Sequence, residues 1–258
     1  MTGRFEDRFG GVARLYGRAG LERLRGAHVA VVGVGGVGSW CVESLARTGI
    51  GTLTLVDMDD VCITNVNRQL PAIDGQIGRP KVCVLAERVA LINPECKVHP
   101  LQEFFLESTA ARLLETPYDF VIDAIDQVPA KCLLLAGCRS RRIPVLAVGG
   151  AGGKRDATGV RIADLTRSTQ DPLLKQVRRR LRLEHGFPTE GEYGIPAVYS
   201  VEKPVYPWSD GSACSVREEG GALRLDCSEG FGSAVSVTGV FGLAAAGEVI
   251  RRLALQER

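Results

Sequence analysis

An apolar run at 29–32 breaks into Gly33, Gly35, Gly36 and Gly38 and then into a segment able to form a helix, all within VAVVGVGGVGSW at 29–40. This strand–glycine turn–helix order limits what the chain can fold into. The G-x-G-x-x-G spacing lets the backbone come close to a phosphate, whose charge is then favoured at the helix N-terminus. A second apolar run ends at Asp57, 24 residues after Gly33, where an acidic side chain can hold a ribose hydroxyl. Together the two runs predict a βαβ unit with a nucleotide site at its C-terminal edge.

The residues after Asp57 separate one nucleotide chemistry from another. Asn65, Asn67, Arg68 and Gln69 form a polar cluster, and Gly78-Arg79-Pro80-Lys81 follows. A dinucleotide pyrophosphate carries about two charges and a triphosphate about four, and fixed cations aimed at developing phosphate charge are a main catalytic device in its cleavage. Arg68 and Lys81 fit that task, and both are expected to be exposed in an empty site. An NAD-dependent oxidoreductase is disfavoured by these cations and by Asp126.

GVGGVG, Asp57…Asn65-x-x-Arg68-Gln69, Gly78-x-Pro80-Lys81 and Asp123-Ala-Ile-Asp126 resemble the E1-like adenylating enzymes, a family that includes activators of ubiquitin-like and sulfur-carrier proteins. RFGGVARLYG at 8–17, TGIGTLTLVDMDDVC at 48–62, INPEC at 92–96, VGGAGGKRD at 148–156, QDPL at 170–173, VYPWSDG at 205–211 and DCSEGFGS at 226–233 are similar to its tRNA threonylcarbamoyladenosine dehydratase branch. The resemblance covers nearly the whole chain. It implies Asp57 on the ribose, Asn65, Arg68 and Lys81 on the phosphates, Asp126 on Mg2+, and Asp59, Gln69 and Asp123 in the ATP site. It also implies a homodimer in which an N-terminal arginine, Arg8 or Arg14, completes the neighbouring ATP site, and a tRNA substrate carrying threonylcarbamoyladenosine. A cysteine desulfurase or sulfur-acceptor partner is a further implication. The alternative is an adenylating enzyme that activates the C-terminus of a ubiquitin-like sulfur carrier; an RNA-binding scaffold without chemistry is disfavoured because the motif residues are all present.

The eight cysteines include no C-x-x-C pair, so no structural zinc is expected. Cys227, in DCSEGFGS, is the one candidate reactive thiol; a small buried hydrophobe is its plainer explanation. Composition fits one soluble α/β enzyme, with 45% hydrophobic and 24% charged residues and a formal charge of +2. No signal-peptide pattern opens the chain, and cytoplasmic location with reduced thiols is expected.

Read for elements, the chain predicts a Rossmann-like, doubly wound, mostly parallel sheet in a single domain, made of an arm and helix (1–28), a nucleotide-binding half (29–150) and a less regular substrate half (151–258). Strands are expected near 29–32, 52–56, 97–101, 119–122, 144–148, 160–164, 197–201 and 222–226. Helices are expected near 37–48, 79–91, 108–115, 129–141, 170–184 and 232–254. In the second of these helices Ala86, Val89, Ala90 and Leu91 form the expected apolar face. The Gly/Pro stretch after 184 is expected to be mobile. Residues 231–247 carry no charge, but their Gly, Ser and Ala content favours a buried helix over a membrane span.

Lys175, Arg178, Arg179, Arg180 and Arg182 place five cations within eight positions of the 170–184 helix, leaving Leu174, Val177 and Leu181 as its apolar stripe. Clustered Lys and Arg supply the salt-dependent part of RNA affinity, which makes these five the candidate tRNA contacts. Arg139, Arg141 and Arg142 form a second, smaller cluster.

Overall fold

The apolar runs that alternate with helices become parallel strands. A computed structural model describes residues 5–216 and 231–256. Strands β1 (His28–Val32), β2 (Thr52–Val56), β3 (Lys97–Leu101), β4 (Phe120–Asp123), β5 (Val145–Val148), β6 (Val160–Asp164) and β7 (Pro196–Ser200) form one sheet in the order β3-β2-β1-β4-β5-β7-β6. All neighbours are parallel except β6 and β7, which pair antiparallel. A two-stranded hairpin, β8 (Tyr206–Pro207) with β9 (Ala213–Cys214), stands apart. The strand expected near 222–226 lies outside the described residues.

Seven helices cover the sheet: α1 (Phe5–Gly26), α2 (Gly38–Arg47), α3 (Lys81–Ile92), α4 (Glu107–Leu113), α5 (Val128–Arg141), α6 (Pro172–His185) and α7 (Val235–Leu255). Each strand turns alternate residues to opposite faces. Val29, Val31, Leu53, Leu55 and Ile122 join the core that contains Val42, Leu45 and Phe241, while Ala30, Val32, Val121 and Ala147 join the core of Leu135, Leu174 and Val177. The two expected halves thus share one sheet and two continuous cores.

The arm and helix expected within 1–28 form α1, which kinks at Gly17 (φ 76°, ψ 162°). Two local expectations change. Helix α3 buries Val82, Val84, Leu85 and Val89 while Leu91 is 81% exposed, because Val82, Leu85 and Val89 recur at helical spacing on the core face and leave Ala90 and Leu91 on the other side. The Gly/Pro stretch after α6 is pinned rather than loose: Phe187 is buried against Tyr193, and the Asp164 carboxylate accepts the N–H groups of Tyr193 and Ile195.

The uncharged C-terminal segment is the buried helix expected from its small residues. Helix α7 packs on α2 and α1, and among the described residues no helix is long and apolar enough to cross a membrane. The approach of α7 to α2 is set by Gly242, where a Cβ would stand 2.5 Å from the Val37 carbonyl oxygen and 2.6 Å from Trp40 Cβ. Gly242→Ala should therefore cost about 1–3 kcal/mol through overpacking. Gly247→Ala, with nothing within 4 Å of the new methyl, should be neutral or stabilising by up to about 1 kcal/mol. Urea midpoints compare the two, and equal shifts would refute the close approach.

Candidate active site

The site is built where β1, β2 and β4 end. Gly33 leaves β1 with φ +85° and donates its N–H to the Val56 carbonyl at 2.8 Å. A Cβ on Gly38 would sit 1.8 Å from the Gly33 carbonyl oxygen, so the turn into α2 tolerates no side chain there. Asp57, at the end of β2, accepts the Val34 N–H through Oδ2 at 2.8 Å and the Asp59 N–H through Oδ1 at 2.9 Å. The N–H groups of Gly35, Gly36, Val37 and Gly38 have no acceptor among the described residues, and α2 has no side-chain N-cap. Four open amides at a helix N-terminus form an anion cradle that fits a phosphate chain.

The loop after β2 folds back over this cradle. A Cβ on Gly35 would lie 3.7 Å from Gln69 Nε2, and one on Gly36 would lie 3.6 Å from Arg68 Cγ. Trp40 Nε1 and Thr238 Oγ1 both donate to the Arg68 carbonyl, at 3.1 and 3.3 Å, and Asn67 Nδ2 donates to the Ser233 carbonyl at 2.7 Å. Helices α2 and α7 thereby hold the Arg68 segment from both sides. Asn65 is buried and accepts the Cys62 N–H through Oδ1 at 3.1 Å. Gln69 is also buried, and its Oε1 has no hydrogen-bond partner among the described residues. Trp40 and Thr238 carry no motif signal, and only the three-dimensional contact reveals them.

The two cations are not equally open. The Arg68 guanidinium is half-buried and donates to the Thr64 carbonyl at 2.7 Å and Asn67 Oδ1 at 2.9 Å. Lys81 is only 4% exposed, contrary to expectation, and its Nζ lies 2.7 Å from Asp59 Oδ2. The first turn of α3 packs beneath the loop, so the ammonium is shielded and neutralised by an acid that is itself largely exposed. Burial raises the Asp57 carboxyl above its ordinary range, opposed by the Lys81 charge and by the two N–H groups it accepts.

The two acids after β4 part company. Asp126 is exposed and makes no hydrogen bond or ion pair among the described residues. The α5 N-cap position is held by Gln127, which gives no side-chain cap, so Asp126 is not a capping residue. Asp123, expected in the ATP site, is fully buried instead. Its Oδ2 pairs with the equally buried Lys131 Nζ at 2.9 Å. Burial pushes the Asp123 carboxyl up to about 6, against the pull of Lys131. No group of three or more His, Cys, Asp or Glu side chains that could hold a metal occurs among the described residues. A lone carboxylate still suits magnesium that arrives on phosphates and keeps several waters.

Further out, the glycine run after β5 wraps the N-cap of α6. Asp171 accepts the Gly150 N–H through Oδ2 and the Leu174 N–H through Oδ1, both at 2.9 Å. In α6 the cations divide. Arg178 donates to Ser168 Oγ and, at 3.3 Å, to the Leu165 carbonyl, and Arg180 pairs with Glu184 at 2.6 Å. These two are used within the fold rather than offered to a partner. Lys175, Arg179 and Arg182 are exposed on one side of the helix, with the Arg182 Nε donating to the Arg178 carbonyl at 3.2 Å. In the second cluster Arg139 stacks over Phe187 at 4.2 Å.

In the arm, Arg8 donates to the Ile92 carbonyl at 3.1 Å, while Arg14 is exposed without a hydrogen bond or ion pair among the described residues. Cys227 lies outside the described residues. Among the described cysteines Cys62 alone is exposed, and its thiol is lowered by the Thr64 hydroxyl and N–H. Burial pushes Cys41, Cys96 and Cys138 up to about 12 and Cys132 up to about 11. Iodoacetamide near neutral pH should therefore label Cys62 ahead of these four, as peptide mapping would show; prior labelling of any of them would contradict the packing.

The model of the ThiF family matches residues 11–257. The tRNA threonylcarbamoyladenosine dehydratase of Escherichia coli K12 is 45% identical over 96% of this chain and 94% of its own length. That of Haemophilus influenzae is 47% identical over the same shares. A crystal structure of the E. coli dehydratase, TcdA, in complex with ATP superposes with a TM-score of 0.87 at 42% identity, covering 97% of this chain and 95% of that one. With the glycine cradle, the folded-back Arg68 loop and a match that runs almost from end to end, the chain belongs to the ThiF family of E1-like adenylating enzymes.

Proposed function

We propose that this chain is an ATP-dependent tRNA-modifying enzyme that dehydrates N6-threonylcarbamoyladenosine at position 37 of tRNA to its cyclic hydantoin, forming AMP and pyrophosphate. The observation that carries the reading is the cradle of four open amides, with Arg68 packed against Gly36, in a chain whose likeness to the dehydratases spans nearly its full length. A sulfur-carrier adenylating enzyme would share that cradle. The extent of the dehydratase likeness and the lack of any C-x-x-C pair favour the tRNA reading.

In the first step the substrate carboxylate attacks the α-phosphate of ATP, forming an acyl-adenylate and releasing pyrophosphate. The Gly35–Gly38 amides receive phosphate oxygens, Asp57 accepts a ribose hydroxyl, and Arg68 and Lys81 offset charge on the leaving pyrophosphate. Asn65 and Gln69 complete the polar wall, with Asp59 as the counter-ion that Lys81 exchanges for phosphate. Asp126 is the residue that would hold Mg2+, which would supply positive charge against the phosphates. In the second step the N6 nitrogen attacks the activated carbonyl, loses its proton and expels AMP. Because this nucleophile is tethered to its electrophile, effective molarities of about 10⁵ M or more apply, and no enzyme thiol is required.

A homodimer supplies the remaining cation. Arg14 is the arm residue we assign to the neighbouring site, since Arg8 is engaged with Ile92. The tRNA backbone lies on Lys175, Arg179 and Arg182, with Arg139, Arg141 and Arg142 extending the surface, and the enzyme works in the cytoplasm where its substrate is. A sulfur-donating partner would need an accessible thiol, which Cys62 offers on the loop itself.

ATP–pyrophosphate exchange, run with modified tRNA and separately with a carrier protein, tests the reading. Exchange is expected with the tRNA alone, and exchange stimulated only by the carrier would overturn it. In that assay Arg68→Ala and Lys81→Met should each fall by roughly 10²-fold or more. Because Lys81 is buried, its variant should also lose stability, whereas Arg68→Ala should not.

Fluorescence anisotropy tests the tRNA surface. Neutralising Lys175, Arg179 and Arg182 together should weaken tRNA binding. The log–log salt slope should fall by somewhat under one unit for each phosphate that is no longer neutralised. ATP affinity should not move. An unchanged slope would remove α6 from the interface.

A further inference from the structure

Lys131 is among the bulkiest completely buried side chains of the described residues, and its partner Asp123 is buried as fully. Two charges removed from water carry a desolvation penalty that a well-packed apolar pair of similar size avoids, so such a pair is weak evidence for stability. Its location shows what it achieves. Lys131 lies one turn into α5, and its Nζ reaches back to grip the last residue of β4 twice, at the Asp123 carboxylate (2.9 Å) and at the Asp123 carbonyl (3.1 Å). The other carboxylate oxygen accepts the Ile125 N–H at 3.2 Å.

Those contacts hold the turn that carries Asp126. The Ala124 N–H donates to the Val32 carbonyl at 2.9 Å, and a Cβ on Gly33 would lie 2.8 Å from the Ala124 oxygen. The turn is thus set directly against the glycine cradle. Asp126 itself makes no bond among the described residues, and no side chain caps α5. Lys131 with Asp123 is thus a buried polar assembly that holds the turn carrying this carboxylate beside the phosphate cradle.

We propose that Lys131 and Asp123 are positioning residues that aim Asp126 at the metal–phosphate side of the cradle. The proposal rests on the assignment of Asp126 to magnesium. Neither residue touches nucleotide, and the pair acts through the geometry of the β4–α5 turn.

The test compares equilibrium ATP affinity with excess magnesium and with EDTA, no tRNA being present, for the wild type, Asp126→Asn and the paired apolar variant Lys131→Met/Asp123→Val. Replacing both members removes the buried pair together, and Asp171, the other acid that feels the Lys131 charge, keeps Lys154 and its two N–H donors, so the paired variant should fold with a Tm close to that of the wild type. Its magnesium enhancement of ATP binding should fall by about tenfold or more, as it should in Asp126→Asn, while affinity in EDTA stays near wild type. Adding Asp126→Asn to it should cause no further loss, because both changes remove the same interaction.

A folded paired variant that keeps the wild-type enhancement, while Asp126→Asn loses it, overturns the positioning role alone. An Asp126→Asn variant that keeps the enhancement overturns the magnesium assignment and the positioning role with it. If the paired variant does not fold, Asp123→Asn is measured instead, since it retains an acceptor for Ile125 but not the charge. The same loss is expected there, and full enhancement would refute the proposal.

Discussion

The hydrogen bond from the Val34 N–H to the Asp57 carboxylate holds the active site together. It joins the ends of two adjacent strands and bends the glycine turn so that the next four amides face outward without partners. Four orphaned donors are tolerable because they stand at a helix N-terminus open to solvent, and an anion is favoured there by the helix dipole. The same carboxylate pins the Asp59 N–H and so sets the start of the loop that returns with Arg68. One acidic side chain thus orders both walls of the cradle, and its burial beside Lys81 follows from that position.

Helix α7 is the second requirement, although its residues come from the far end of the chain. Gly239 and Gly242 let it approach Trp40 closely enough for Thr238 and Trp40 to share the Arg68 carbonyl as acceptor. A larger residue on that stripe would part α7 from α2 and release the loop. The small residues at 239 and 242 are thus a packing requirement.

Most of the fold was legible because period-two and helical patterns agree with short-range turn signals. Val29, Val31, Leu53 and Leu55 could be assigned to strands with little ambiguity, and Gly33 and Asp57 marked their ends. What escaped was the use of charge. Arg178 looked like Arg179 from its neighbours in sequence, yet it reaches Ser168 and Leu165, because α6 turns that flank toward the loop before it. Asp123 and Asp126 looked alike as acids at a strand end, but Asp123 ends β4 inside the fold and Asp126 stands exposed in the turn that follows. Lys131 gave no signal, since a lysine three residues into an apolar helix reads as solvated. Local pattern reports which face a residue occupies, but not whether that face is closed by an element distant in the chain.

The geometry of the site shows how those charges are kept in order. Lys81 is neutralised by Asp59, Arg68 is hydrogen-bonded to the Thr64 carbonyl and Asn67, and Lys131 is neutralised by Asp123. The first two partners lie at the rim and can be exchanged for phosphate oxygens at modest cost, because an exposed carboxylate returns to water easily. The third pair is sealed from solvent and cannot be exchanged without opening the turn. A binding site needs cations that give up their partners and a frame that does not. In this chain the distinction falls between Asp59, largely exposed on the loop, and Asp123, fully buried at the end of β4.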